Sequence, residues 1–243
     1  MSYAKELFVG LIPDGGRRAV NNDPFRYEES YQRGAKVVGD MLKLCVQDAR
    51  VKIFAAWGLS DDNALRRPGM QLDILNNIFV QYLQKLRKDL QEPDYENVKV
   101  VHLGNAEFLT PQVNDLIADI VRFTNDRSEK IFGLCLGHGA EDEMERAADR
   151  RGERRANGEQ CKLVDCLDLP TRGGILFKPV DLIVRTGTDP NTPYTSGYML
   201  PYQVRGGTQE KYYSEFLPNV PASTILDAVD YYEQRMLELR KGK

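Results

Sequence analysis

Five short apolar runs, each bounded by polar or turn-forming residues, divide the chain: Leu7–Ile12, Val51–Ala56, Val98–Leu103, Ile131–Leu136 and Val180–Arg185. Runs of this length and setting predict buried strands. Between them apolar residues recur at helical spacing over Tyr31–Val46, Leu72–Leu90, Val113–Phe123, Glu141–Arg155 and Ser223–Leu239. The stripe is strongest in Leu72–Leu90, through Ile74, Ile78, Phe79, Tyr82, Leu83 and Leu86. Glu141–Arg155 is densely charged and reads as a solvated helix face. Strands alternating with helices predict an α/β fold, a mostly parallel central sheet flanked by helices. No internal repeat breaks the pattern, so residues 1–243 read as a single domain. Ligands of such sheets sit beyond the carboxyl ends of the strands. Asp14, Ser60, His138 and Arg185 each follow one of the predicted strands.

Composition narrows the picture modestly. The 243 residues are 42% hydrophobic, enough for a substantial core. A net charge of −3 gives no electrostatic reason to expect nucleic-acid binding. No run approaches the roughly 18 apolar residues that span a bilayer. The first residues carry no signal-peptide pattern, so a cytoplasmic protein without a transmembrane segment is expected. Cys45 and Cys135 lie in apolar segments and read as core thiols. Cys161 and Cys166 lack the clustered histidines and spacing of a zinc site. Asn157–Lys178 reads as an excursion. Gly187–Gly207, rich in Gly, Pro and Thr, is long for a connection, which points to a functional segment.

The chemistry concentrates in Leu7–Arg18, where an apolar run ends in Pro13, Asp14, Gly15, Gly16, Arg17 and Arg18. Asp14 offers a hard oxygen for Mg²⁺. Gly15 and Gly16 let backbone N–H groups approach a ligand. Arg17 and Arg18 offer forked donors for phosphate. These residues suit a Mg²⁺-diphosphate, and equally a polar turn with surface arginines. After the second run, Ser60 and Asn63 are candidates to orient a substrate or relay a proton, or Ser60 caps a helix. Arg185 is a candidate to hold a second phosphate, or forms a structural salt bridge. Glu210 is a candidate second carboxylate for Mg²⁺.

Taken in order, these segments resemble the cis-prenyltransferases, the undecaprenyl diphosphate synthase-like family. Pro13-Asp14-Gly15-Gly16-Arg17-Arg18 is similar to Met-Asp-Gly-Asn-x-Arg, and Ser30-Tyr31-Gln32-Arg33-Gly34 to Gly-His-x-x-Gly. Leu59-Ser60-Asp61-Asp62-Asn63 is similar to Phe-Ser-x-Glu-Asn, with Arg66 as the arginine that follows. Gly137-His138-Gly139-Ala140-Glu141-Asp142-Glu143 is similar to Asn-Tyr-Gly-Gly-Arg-x-Glu, and Asp181–Gly187 to Asp-Leu-x-Ile-Arg-Thr-Ser/Gly. Ser196-Gly197-Tyr198-Met199-Leu200 is similar to Ser-Asn-Phe-Leu-Leu, and Glu210 matches the glutamate of Ala-Glu-Leu-Tyr-Phe.

The resemblance implies a homodimer that condenses an allylic diphosphate with a second isoprenoid diphosphate, using Mg²⁺. It implies that Asp14 binds Mg²⁺ with Glu210, and that Gly15, Gly16, Arg17 and Arg18 cradle the allylic diphosphate. Ser60 and Asn63 would assist proton removal, and Arg185 and Ser196 would hold the acceptor diphosphate. Ile78, Phe79 and Tyr82 would line the product tunnel and keep the product short, unless they are core residues only.

The departures fall mainly on the acceptor side. Tyr31 replaces the histidine of Gly-His-x-x-Gly. The arginine four residues before it falls on Tyr27, with Arg26 one position off. The second arginine expected before Ser196 is missing, and Arg205 is the available substitute. The C-terminal Arg-x-Gly is not intact. Altered acceptor motifs accompany branched, lavandulyl-type coupling in some members of the family. The expectation is therefore a short-chain prenyl diphosphate synthase using dimethylallyl or geranyl diphosphate, with branched coupling. The alternative is a regular head-to-tail synthase using isopentenyl diphosphate. A non-catalytic partner subunit is disfavoured by the retained Asp14 and Glu210. A nucleotide-binding protein is disfavoured because no phosphate-loop motif is present.

Overall fold

The apolar runs form five strands, and a sixth strand joins them: β1 (Leu7–Ile12), β2 (Val51–Leu59), β3 (Val98–Leu103), β4 (Lys130–Leu136), β5 (Leu182–Arg185) and β6 (Gln209–Tyr212). The structure is a computed structural model and describes residues 6–169, 179–193 and 207–241. Every strand pairing is parallel, in the order β3-β4-β2-β1-β5-β6. The helices are α1 (Tyr27–Gln47), α2 (Asp61–Arg66), α3 (Gly69–Asp89), α4 (Pro111–Phe123), α5 (Ala140–Ala156) and α6 (Thr224–Lys241).

All six residues of β1 are buried, because a central parallel strand is covered on both faces. Its side chains divide by parity. Leu7, Val9 and Leu11 pack with residues of α1, α3, α4 and α6. Phe8 and Ile12 pack with Ala147 of α5 and with Cys161, Cys166, Leu167 and Leu169. The helices are thus unequally shared, four on one face and chiefly α5 on the other.

Boundaries differ from the sequence pattern where tertiary pairing takes over. β2 continues past Ala56 to Leu59, because Trp57 and Leu59 still pair with β4 across a register shift at Gly58. A Cβ on Gly58 would lie 2.5 Å from Leu136 Cδ2, so a larger residue there would require Leu136 to shift. β5 starts at Leu182, and Asp181 just before it already bonds to both neighbours: its N–H donates to the Phe8 carbonyl at 2.9 Å, its carboxylate accepts the Phe8 N–H at 2.9 Å, and its carbonyl accepts the Gln209 N–H at 2.8 Å. β6 reads Gln-Glu-Lys-Tyr and carries no apolar signal; it is an edge strand held by β5 alone. α4 is the best-specified helix. Thr110 Oγ1 accepts from Val113 N at its start, and Pro111 occupies the first turn.

Because the strands are parallel, the chain leaves β1, β2, β4 and β5 at one edge. That edge carries the segments that begin at Pro13, Ser60, Gly137 and Thr186.

Candidate active site

The chain leaves β1 through a tightly held turn. The carbonyl of Asp14 accepts from Thr186 Oγ1 at 2.9 Å and from the Leu217 N–H at 3.0 Å. Ser30, buried at the first turns of α1, donates its hydroxyl to the Gly16 carbonyl at 2.5 Å. Gly15 has φ +103°, and a Cβ there would lie 2.5 Å from Phe216 Cδ1, so glycine is required on both counts. The carbonyls of this turn are tied down. The N–H groups of Gly15, Gly16, Arg17 and Arg18 have no acceptor among the described residues. Four successive open donors beside two arginines form an anion cradle.

The Asp14 carboxylate is held by Arg185, through Nε at 2.8 Å and Nη2 at 2.5 Å. Arg185 is buried and Asp14 is partly exposed. The Arg18 guanidinium lies over the Phe216 ring, 5.1 Å from its centre. The Tyr31 hydroxyl is buried without a partner among the described residues. Burial pushes its pKa up, against the pull of Arg67 and Arg17, so it remains a neutral donor.

These groups form the mouth of a cavity of about 460 Å³. Its mouth is Asp14–Arg18, Tyr31 and Arg67. Its interior is apolar, with Val38, Leu75, Phe79, Leu83, Leu134 and Leu136 from α1, α3 and β4. A charged entrance opening on a dry tunnel suits an amphipathic ligand with an anionic head and a hydrocarbon tail. Ala35, Ile78 and Tyr82 also line a second cavity of about 460 Å³ between α1 and α3. The Tyr82 hydroxyl is buried and unpartnered among the described residues. Burial pushes its pKa far up.

The structure gathers Asp14, Gly15, Gly16, Arg17, Arg18 and Tyr31 at one cavity, with Arg185 attached through Asp14. Arg26 does not join them. It is exposed at the start of α1 and bonded to Glu29 at 3.2 Å. Ser60 is buried as the N-cap of α2, accepting from the Asn63 N–H at 3.0 Å. Asn63 lies outside the cavity wall. The arginine after this motif was expected to be Arg66, but Arg66 is exposed and paired with Asp62, and Arg67 lines the cavity.

Glu210 shares no partner with Asp14 among the described residues. The register sets Glu210 level with Ile183 and Gly10, and its carboxylate accepts from the Tyr212 hydroxyl. Ser196 and Arg205 lie outside the described residues.

His138 lies just past β4, fully buried against the edge of Trp57, with Nε2 3.4 Å from Glu143 Oε2. Asp168 completes a three-residue cluster. Its oxygens are taken by Arg146 at 2.7 and 2.8 Å, Arg150 at 2.9 Å and the Gly104 N–H at 3.0 Å. Burial, the largest single influence, pushes the Asp168 carboxyl up, but Arg146, Arg150 and the Gly104 N–H together outweigh it and hold it below its ordinary value. Guanidiniums fill the positions a metal ion would take, so this is a closed charge network. None of the three residues lines the cavity.

The family model described as undecaprenyl diphosphate synthase matches residues 12–239. The chain belongs to this prenyltransferase family. The prenyltransferase is 28% identical over 238 residues to the tritrans,polycis-undecaprenyl-diphosphate synthase (geranylgeranyl-diphosphate specific) of Pyrobaculum aerophilum, covering 93% of this chain and 92% of the relative. It is 25% identical over 200 residues to an isoprenyl transferase of Campylobacter jejuni, covering 82% of each. The fold of the prenyltransferase matches that of lavandulyl diphosphate synthase from Lavandula x intermedia, with a TM-score of 0.79 and 18% identity. The match covers 95% of this chain and 96% of that one. The cavity mouth therefore sits on the fold of prenyl diphosphate synthases. No helix of the described residues is long and apolar enough to cross a membrane.

Proposed function

We propose that this prenyltransferase condenses dimethylallyl or geranyl diphosphate with a second isoprenoid diphosphate, giving a short product by branched coupling. The carrying observation is the anion cradle opening onto a largely apolar cavity whose wall includes Ile78 and Tyr82. The N–H groups of Gly15 to Arg18, the Arg17 and Arg18 side chains and the Tyr31 and Arg67 side chains receive the allylic diphosphate. Donors fixed where charge develops lower the barrier to breaking the allylic C–O bond. The hydrocarbon lies in the tunnel, where exclusion of water protects the allylic cation. The alkene of the second unit attacks that cation, a C–C bond forms, and a proton is lost. Arg185 receives the second diphosphate, exchanging Asp14 for that ligand.

Mg²⁺ fits Asp14. The carboxylate is a hard donor at the cavity mouth, and Mg²⁺ commonly takes one carboxylate together with substrate phosphate oxygens and water. Bound there, the ion would neutralise charge on the departing diphosphate. A homodimer and a cytoplasmic location complete the proposal.

Branched coupling is favoured by the acceptor-side departures, chiefly the missing arginine before Ser196. The relative specific for geranylgeranyl diphosphate favours a second reading, regular head-to-tail addition of isopentenyl diphosphate. Incubating the chain and Mg²⁺ with dimethylallyl and geranyl diphosphates, with and without isopentenyl diphosphate, separates them. The proposal expects a single short branched product without isopentenyl diphosphate. A product series formed only with isopentenyl diphosphate overturns it in favour of the second reading.

A further inference from the structure

Outside the cavity, Cys161 and Cys166 flank a single 3-10 turn, Leu163–Cys166, with both side chains buried and their sulfurs 4.0 Å apart. A disulfide requires about 2 Å between sulfurs, so about 2 Å remains to be closed. The turn itself is well held. The Lys162 N–H donates to Asp165 Oδ2 at 2.8 Å, and the Asp165 N–H to the Lys162 carbonyl at 3.1 Å. Three arginines of α5 bind its carbonyls: Arg150 to Cys166 at 2.7 Å, Arg151 to Cys161 at 3.4 Å, and Arg154 to Asp165 at 3.1 Å.

Arg154 also approaches Cys166 Sγ at 3.7 Å. This places a positive charge beside that sulfur. Burial and the neighbouring thiol push the Cys161 thiol up. Gln160 and Lys162, on either side of Cys161, are exposed, so the turn lies at the surface. Cys45 and Cys135 differ on every count. They are buried in strand-packed core, and burial pushes both thiols far up.

We propose that Cys161 and Cys166 are a reversible thiol–disulfide pair, oxidised by low-molecular-weight disulfides and reopened by thiols. The Cys166 thiolate attacks one sulfur of the small disulfide, whose S–S bond breaks and releases one thiolate that takes a proton. Cys161 then loses its proton and attacks the Cys166 sulfur, releasing the second small thiolate. Two protein thiols are oxidised and one small disulfide is reduced to two thiols.

The test equilibrates the full chain, well below its melting temperature, in oxidised and reduced glutathione at graded ratios. Acid quenching, alkylation, tryptic digestion and mass spectrometry follow. Cleavage after Arg155, Lys162 and Arg172 puts each cysteine on its own peptide. Oxidising ratios should give the two peptides joined and unalkylated, fully reversed by excess reduced glutathione, with Cys45 and Cys135 never joined. Cys161→Ser should trap a glutathione adduct on Cys166, while Cys166→Ser should leave Cys161 alkylated. Alkylation of both cysteines at every ratio overturns the proposal. So do adducts on both without a joined peptide, or joining only above the melting temperature. Neither the pair nor its test depends on the prenyl-transfer reading.

Discussion

Tyr82 lines both the tunnel and the second cavity, each about 460 Å³, so its removal tests whether it ends the tunnel. Deleting a buried aromatic side chain to alanine costs about 3–5 kcal/mol. The Tyr82 hydroxyl is buried without a partner, and removing such a group returns about 1–3 kcal/mol. The net cost of Tyr82→Ala is then about 2 kcal/mol, or about 4–8 °C in melting temperature for a chain of this size. Tyr82→Phe keeps the ring and drops only the orphan hydroxyl, so its melting temperature should be unchanged or higher. The functional readout is the longest allylic donor turned over, measured by mass spectrometry across dimethylallyl, geranyl, farnesyl and geranylgeranyl diphosphates. Tyr82→Ala should accept at least one donor longer than the parent, and Tyr82→Phe should match the parent. A folded Tyr82→Ala with an unchanged donor limit refutes the assignment of Tyr82 as the end wall. A Tyr82→Phe loss above about 1 kcal/mol refutes the claim that its hydroxyl is unsatisfied.

Other residues give sharper contrasts. Gly15→Ala meets both a positive φ and Phe216, and should lose about 2–4 kcal/mol of stability along with most turnover; thermal melting and initial rates check it. Arg67→Ala should raise the KM for the allylic diphosphate about tenfold or more, while Arg66→Ala should leave it within twofold, because an exposed i,i+4 pair contributes little. Asp168 has a lowered carboxyl pKa, so its contribution to stability is complete above the ordinary carboxylate value. That contribution is lost as pH falls through the lowered one. Urea unfolding should therefore show an acid limb below about pH 4 that Asp168→Asn flattens.

Much of the fold is legible where a residue's neighbours are dictated by its own strand or helix. β1 is apolar on every residue because both its faces are covered, and its five successor segments announce themselves similarly or by helical period. β6 does not, because Gln-Glu-Lys-Tyr owes its pairing to β5 and not to burial. At the site, Asp14–Arg18 are contiguous, so one turn carries them together. Arg67 was one position from the expected arginine, and the signal was present: Arg67 precedes Pro68, which pushes it out of the helix into an extended conformation. Arg66 stays on the helix, four residues from Asp62. Glu210 shows the limit of motif order: its bond is to the Tyr212 hydroxyl two residues on along the edge strand, and nothing in the motif announces that partner.

The central claim is that the Asp14–Arg18 turn ionises an allylic diphosphate at the mouth of the tunnel. Pyrophosphate release from dimethylallyl and geranyl diphosphates, with and without Mg²⁺, measures it most directly, for the parent chain and Asp14→Asn side by side. The account predicts Mg²⁺-dependent release that Asp14→Asn lowers at least a hundredfold, with a melting temperature within a few degrees of the parent. Release that persists in Asp14→Asn, or no release from any allylic donor by the folded parent chain, would contradict it.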